Sequence, residues 1–171
     1  MSKSLLEDAF GHHVWATVRL INACLPLTDE QLDTPVPGTF GSILETMRHL
    51  VEADSWYLFR LSGDTVPEVD TSEMDMAQLL STLENQGAGW SDVLAGEPDP
   101  DALVAGQGDD GSVEYWPKGI RIAQVVHHGT DHRSQICTAL TTLGVEPPAI
   151  DVWDFGWETG RMVRDPAEAT T

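Results

Sequence analysis

Cysteine is scarce: Cys24 and Cys137 are the only two in 171 residues, and they lack a Cys-x-x-Cys spacing. Both read as small buried apolar residues in a reducing compartment. Positive charge is scarcer still, with nine Lys plus Arg against 28 Asp plus Glu, a net charge of −19. Lys3 and Lys118 are the only lysines. A surface that negative repels phosphate, so nucleic acid and anionic membranes are excluded as partners. The imbalance suits a salt-adapted cytoplasm and an ordinary soluble acidic protein alike. No apolar run approaches the roughly 18 residues of a membrane span. The start, Met-Ser-Lys-Ser-Leu-Leu-Glu-Asp, lacks a basic region followed by an apolar block, so the expected location is the cytoplasm. Repeats, low-complexity tracts and convincing strand patterns are missing too. With 41% hydrophobic residues the chain is globular, and its length fits one domain over residues 1–164 with a loose tail at 165–171.

Helical periodicity is what the chain does contain. A first helix is expected from Leu5 to about Leu25, opened by the capping-box pair Ser4 and Glu7 and ended by Pro26. Leu6, Phe10, Val14, Val18 and Ile21 supply its apolar stripe. Thr28–Leu32 makes one further turn. Ser42 and Glu45 open a second long helix that stops at Gly63, and Ser72 with Asp75 opens a third that runs to about Leu94. Gly87 and Gly89 inside it predict a kink or a break, since each costs about 1 kcal/mol against alanine. Val104 and Val113–Tyr115 form either a short hairpin around Asp109-Asp110-Gly111 or a plain loop. The fourth long helix spans about Lys118 to Leu143, with Gly144 as its stop. Asp151 caps a last short helix in which Trp153 and Trp157 stand one turn apart, a spacing that favours packing. The expected fold is therefore all-α: a four-helix bundle with a short extra C-terminal helix and a small hairpin or loop before the fourth long helix.

The fourth helix carries the chemistry. His128 and His132 are four residues apart, hence on one face a turn from each other. Two imidazoles so placed can hold one metal ion. A third ligand must come from another helix, and spacing leaves several open: His49, one of His12 or His13, and the carboxylates Glu45 and Glu52.

A set of short motifs runs through the chain in order: Val14-Trp15-Ala16, Leu27-Thr-Asp-Glu-Gln-Leu-Asp33, Gly38-Thr-Phe-Gly-Ser-Ile43, His49-Leu50, and His128-x-x-x-His132-Arg133-Ser134-Gln135. In this order they resemble the DinB (DNA-damage-inducible) superfamily of small metalloenzymes, over nearly the whole chain. The resemblance implies that His49, His128 and His132 ligate one divalent metal. Three departures stand out. Ser134 replaces a usual glycine, Asp131 an aromatic or apolar residue, and Thr17 an asparagine.

Three neutral imidazoles would leave a coordination position open, as catalytic zinc sites do. Zinc, nickel and ferrous iron all suit the donor set. Such an ion lowers the pKa of bound water to about 7 and ionises a bound thiol. Glu52 or Glu45 is expected to orient His49, and Asp131 or Gln135 to do so on the fourth helix. Arg133 is expected in a structural ion pair. Relatives resemble S-transferases that use low-molecular-weight bacterial thiols, so a thiol-dependent S-transferase acting on a small molecule is the first functional expectation. A metal-dependent hydrolase and a non-enzymatic metal-binding bundle are the alternatives. Cys137 follows His132 by five residues and points about 140° away from it, so a thiol cosubstrate would come from outside. By the same resemblance a homodimer is expected, with the Trp153–Trp157 face at its interface or over the site.

Overall fold

Helix starts in this protein are set by reciprocal caps. The computed structural model describes residues 4–108 and 110–164. In α1 (Leu5–Cys24), α2 (Asp29–Asp33), α3 (Ile43–Leu61) and α4 (Met76–Ala95), the N-cap side chain accepts from the third backbone N–H, while the residue there reaches back. The pairs are Ser4–Glu7, Thr28–Gln31, Ser42–Glu45 and Asp75–Gln78, each satisfying two otherwise orphaned donors. α4 thus starts one turn later than the Ser72–Asp75 pattern predicts. Asp75 is itself the cap, and Ser72 N–H is taken by the Asp70 carboxylate.

A two-stranded antiparallel hairpin follows, β1 (Leu103–Gln107) with β2 (Val113–Pro117), in which Val104 pairs with Trp116 and Ala105 with Tyr115. Asp109, in the expected turn, lies outside the described residues, as does the tail from 165 onward. Strand β2 runs directly into α5 (Lys118–Thr142), which Gly144 terminates at φ +75. The short α6 (Val152–Glu158) is capped by Asp151. Its tryptophans do not pack as expected: Trp153 is 69% exposed and Phe155 is the buried residue.

The four long helices form a bundle in which α1 and α3 each pack against both α4 and α5. α4 continues unbroken through Gly87 and Gly89. The expected interruption is absent because both glycines serve close packing. A Cβ on Gly89 would lie 2.7 Å from Leu58 Cδ2, and one on Gly87 3.3 Å from Val14 Cγ1.

The core has two apolar halves. Leu20, Ile21, Met47, Leu50, Leu83 and Ile136 belong to one, and Phe10, Leu58, Leu61, Trp90, Ile122 and Val125 to the other. Between these two sets each long helix carries buried polar residues: His13 and Thr17 on α1, Asp54 on α3, Gln86 on α4 and Arg133 on α5. Among the described residues no helix is long and apolar enough to cross a membrane.

Candidate metal centre

His49 lies on the α3 face that meets α5, where His128 and His132 occupy successive turns. One ring nitrogen from each of the three lies within 4.8 Å of the others. His49 Nε2 and His128 Nε2 are 3.1 Å apart. With zinc–nitrogen bonds of about 2.0–2.1 Å, two imidazoles on one tetrahedral ion stand about 3.3 Å apart, close to the His49–His128 separation. Phe40 stacks on His49 with ring centroids 4.3 Å apart and meets His132 edge-on at 5.4 Å.

Hydrogen bonds fix one of these rings. Gln135 Oε1 accepts from the Phe40 backbone N–H at 2.9 Å and sits 3.1 Å from His132 Nδ1. An oxygen in that position only accepts, so His132 Nδ1 carries the hydrogen and its Nε2 is left with a lone pair. His128 Nδ1 is buried and has no hydrogen-bond partner among the described residues. Burial, then His132 and His49, push the His128 pKa down to about 4. His49 is lowered by desolvation first and by His132 second. Both rings are therefore neutral at neutral pH, with lone pairs available to a cation.

A sequence model of the DinB family matches residues 1–167. The chain belongs to the DinB family. No curated protein matches the chain. Family and geometry together describe a helical protein with a three-histidine cluster able to bind a divalent metal.

In this DinB chain two of the three histidines, His49 and His128, line a cavity of about 340 Å³ together with Glu52, Trp56, Tyr57 and Glu68. A larger cavity of about 910 Å³, between α1, α5 and α6, includes none of the three histidines in its lining. The remaining histidines are engaged elsewhere: His12 Nε2 with Ile150 O, His13 Nε2 with Asp54, and His127 Nδ1 with Asp131. Asp131 therefore faces His127, where an orienting role on the cluster was expected. Glu52 sits in the cavity wall, and Glu45 serves the α3 cap. Arg133 makes no ion pair with a carboxylate among the described residues. It is buried, and hydrogen-bonds to His13, Thr17 and Thr130.

Sequence reasoning missed Tyr57, Glu68, Phe40 and, above all, Asp54. Asp54 is fully buried with a carboxylate oxygen 2.6 Å from His13 Nε2. A signal existed, because Asp54 falls in the stripe Met47, Leu50, Val51, Leu58, Leu61. An acid inside an apolar stripe requires an internal partner.

Proposed function

We propose that the protein is a metal-dependent enzyme in which His49, His128 and His132 hold one divalent ion, zinc, nickel or ferrous iron. We further propose that it joins the sulfur of a small external thiol to an electrophilic carbon, the thiol giving up its proton to solvent and the carbon its leaving group. The observation that carries this reading is the cluster of three imidazoles, two of which, His49 and His128, line a cavity. A bound ion supplies the positive charge that ionises a thiol or water below its ordinary pKa.

The chain's own groups define the rest. His49 and His128 stay neutral and so remain donors. Phe40 covers one face of the His49 ring, and Trp56 with Tyr57 walls the cavity. Neither cysteine is suited to be the nucleophile. Burial pushes the Cys24 thiol up to about 12 and raises that of Cys137, which lines the larger cavity. A thiol nucleophile therefore comes with the substrate mixture.

A second reading, hydrolysis, is favoured by one feature: Glu52 and Glu68 line the same cavity as His49 and His128, and either carboxylate can take a proton from water. Cobalt substitution separates the two. The transferase reading expects a saturable sulfur-to-cobalt charge-transfer band on titration with small bacterial thiols, lost in His128→Ala and retained in His127→Ala. Absence of the band with every thiol tried, together with turnover of esters or amides, selects the hydrolase. Failure to take up any metal in untagged protein removes both.

A further inference from the structure

The cavity of about 910 Å³ between α1, α5 and α6 combines apolar walls with one buried cation. Val126, Ile150, Val152, Trp153 and Phe155 form the walls, and Arg133 lines it with 2% of its surface exposed. Small-molecule sites have this make-up: roughly 300–1,000 Å³, mostly apolar, with a few placed polar groups. We propose that the cavity binds a small carboxylate with a flat apolar body, the body lying against Trp153 and the carboxylate accepting from Arg133. None of the three clustered histidines lines the cavity, so this binding is independent of the metal.

Arg133 has hydrogens left to give. A guanidinium carries five N–H donors and no acceptor. Nη1 faces His13 Nδ1 and Thr17 Oγ1, each at 3.1 Å, and His13 O at 3.4 Å, which occupies both its hydrogens. Nη2 donates one to Thr130 Oγ1 at 3.2 Å. Nε–H and the second Nη2–H have no acceptor among the described residues, and no carboxylate there pairs with the guanidinium. Nε is unpaired but not fully buried, so part of the little surface that Arg133 exposes is a donor. Arg121 is the contrast. It too is buried without a carboxylate, but all its guanidinium nitrogens are enclosed, and Trp56 and Trp116 lie over it. A ligand can reach the first arginine and not the second.

The acids around the cavity leave this cation available. Asp8 accepts from Arg161 Nε at 2.8 Å and from Nη2 at 2.5 Å. Asp151 caps α6, accepting from the Asp154 N–H at 2.8 Å, and keeps its negative charge at the wall. With that charge nearby and −19 on the whole chain, one cation suits a single negative charge and disfavours a polyanion. The apolar walls exclude a body with further polar groups, which would lose water there without gaining partners. Trp153 is 69% exposed on α6, an indole that a flat ring covers with favourable stacking. A carboxylate on a ring-sized apolar body meets all three conditions.

The probe is naphthoate, with naphthamide as the uncharged molecule of the same shape. Both are titrated calorimetrically in about 0.15 M sodium chloride, which screens long-range repulsion beyond about 8 Å. One saturable naphthoate site is expected, with naphthamide weaker by about 10- to 100-fold, the worth of a hydrogen bond to a charged group. Trp153→Ala, at an exposed position, should weaken both probes by about 10-fold. Arg133→Met should abolish the difference between the probes and leave naphthamide binding as it was. Equal wild-type affinity for the two probes, or no binding of naphthoate, overturns the proposal. So does naphthoate binding that ignores Trp153→Ala, or that vanishes on chelator treatment and so belongs to the metal. A dimer by light scattering that excludes naphthoate overturns it too, since a second copy then covers Trp153. If Arg133→Met does not fold, the wild-type preference and Trp153→Ala decide.

Discussion

Gly129 shows how closely single residues are fitted around the polar layer. It lies in the middle of α5, where glycine costs about 1 kcal/mol against alanine. A Cβ there would lie 2.4 Å from His13 Cε1 and 2.8 Å from Arg133 Nη1. The missing side chain is the room in which Arg133 meets His13. Gly129→Ala should therefore destabilise the protein by about 1–3 kcal/mol despite its better helix propensity, as overpacked cores do. Urea unfolding checks this, and a variant more stable than wild type would show that the layer yields freely. What could be read at this scale depended on distance along the chain. His128 and His132 share a helix, so spacing alone puts them on one face. The approach of His49 was carried only by the resemblance, and Asp54 stood out only as an acid in an apolar stripe, its partner His13 lying 41 residues away.

Helices were legible because their start signals are local: the Ser42–Glu45 pair says the same thing in sequence and in space. Glycines inside a helix are not local signals. Gly87 and Gly89 look like breaks until Val14 and Leu58 are seen against them. The hairpin was ambiguous for the same reason, since its anchor comes from two helices. Trp116 of β2 lies 4.4 Å from the Arg121 guanidinium, and Trp56 of α3 lies 4.7 Å away in a second cation–π contact. Arg60 adds a hydrogen bond to Ala105 O of β1. Gly106 is what lets the indole down, because a Cβ there would lie 1.9 Å from Trp116 Cζ3. Gly106→Ala should lift Trp116 off Arg121, shift tryptophan emission to the red and expose the hairpin to protease. Metal uptake should be unchanged, since the hairpin supplies none of the three histidines. Unaltered emission and cleavage would mean that the sandwich does not hold the hairpin.

At the scale of the whole molecule, charge is the dominant feature that no single contact expresses. Ion pairs such as Arg161–Asp8 and Arg60–Asp64 use up a few of the nine cations, which leaves most of the 28 acidic residues facing one another across the surface. Repulsion among like charges opposes the compact state and relaxes when the chain unfolds and spreads. Salt screens it, with a Debye length of about 30 Å at about 0.01 M falling to about 3 Å at about 1 M. The same screening weakens the attractive pairs, but exposed pairs contribute little, a median of about 0–1 kcal/mol each. Repulsion is the larger effect, and the sign follows from that. Between those concentrations of sodium chloride the thermal midpoint should rise by about 3 °C or more, the equivalent of about 1 kcal/mol for a chain of this size. Sodium chloride is the salt to use, because sulfate strengthens apolar burial in any protein and would mimic the effect. A midpoint that stays level or falls would mean that attractive pairs offset the excess of 19 negative charges.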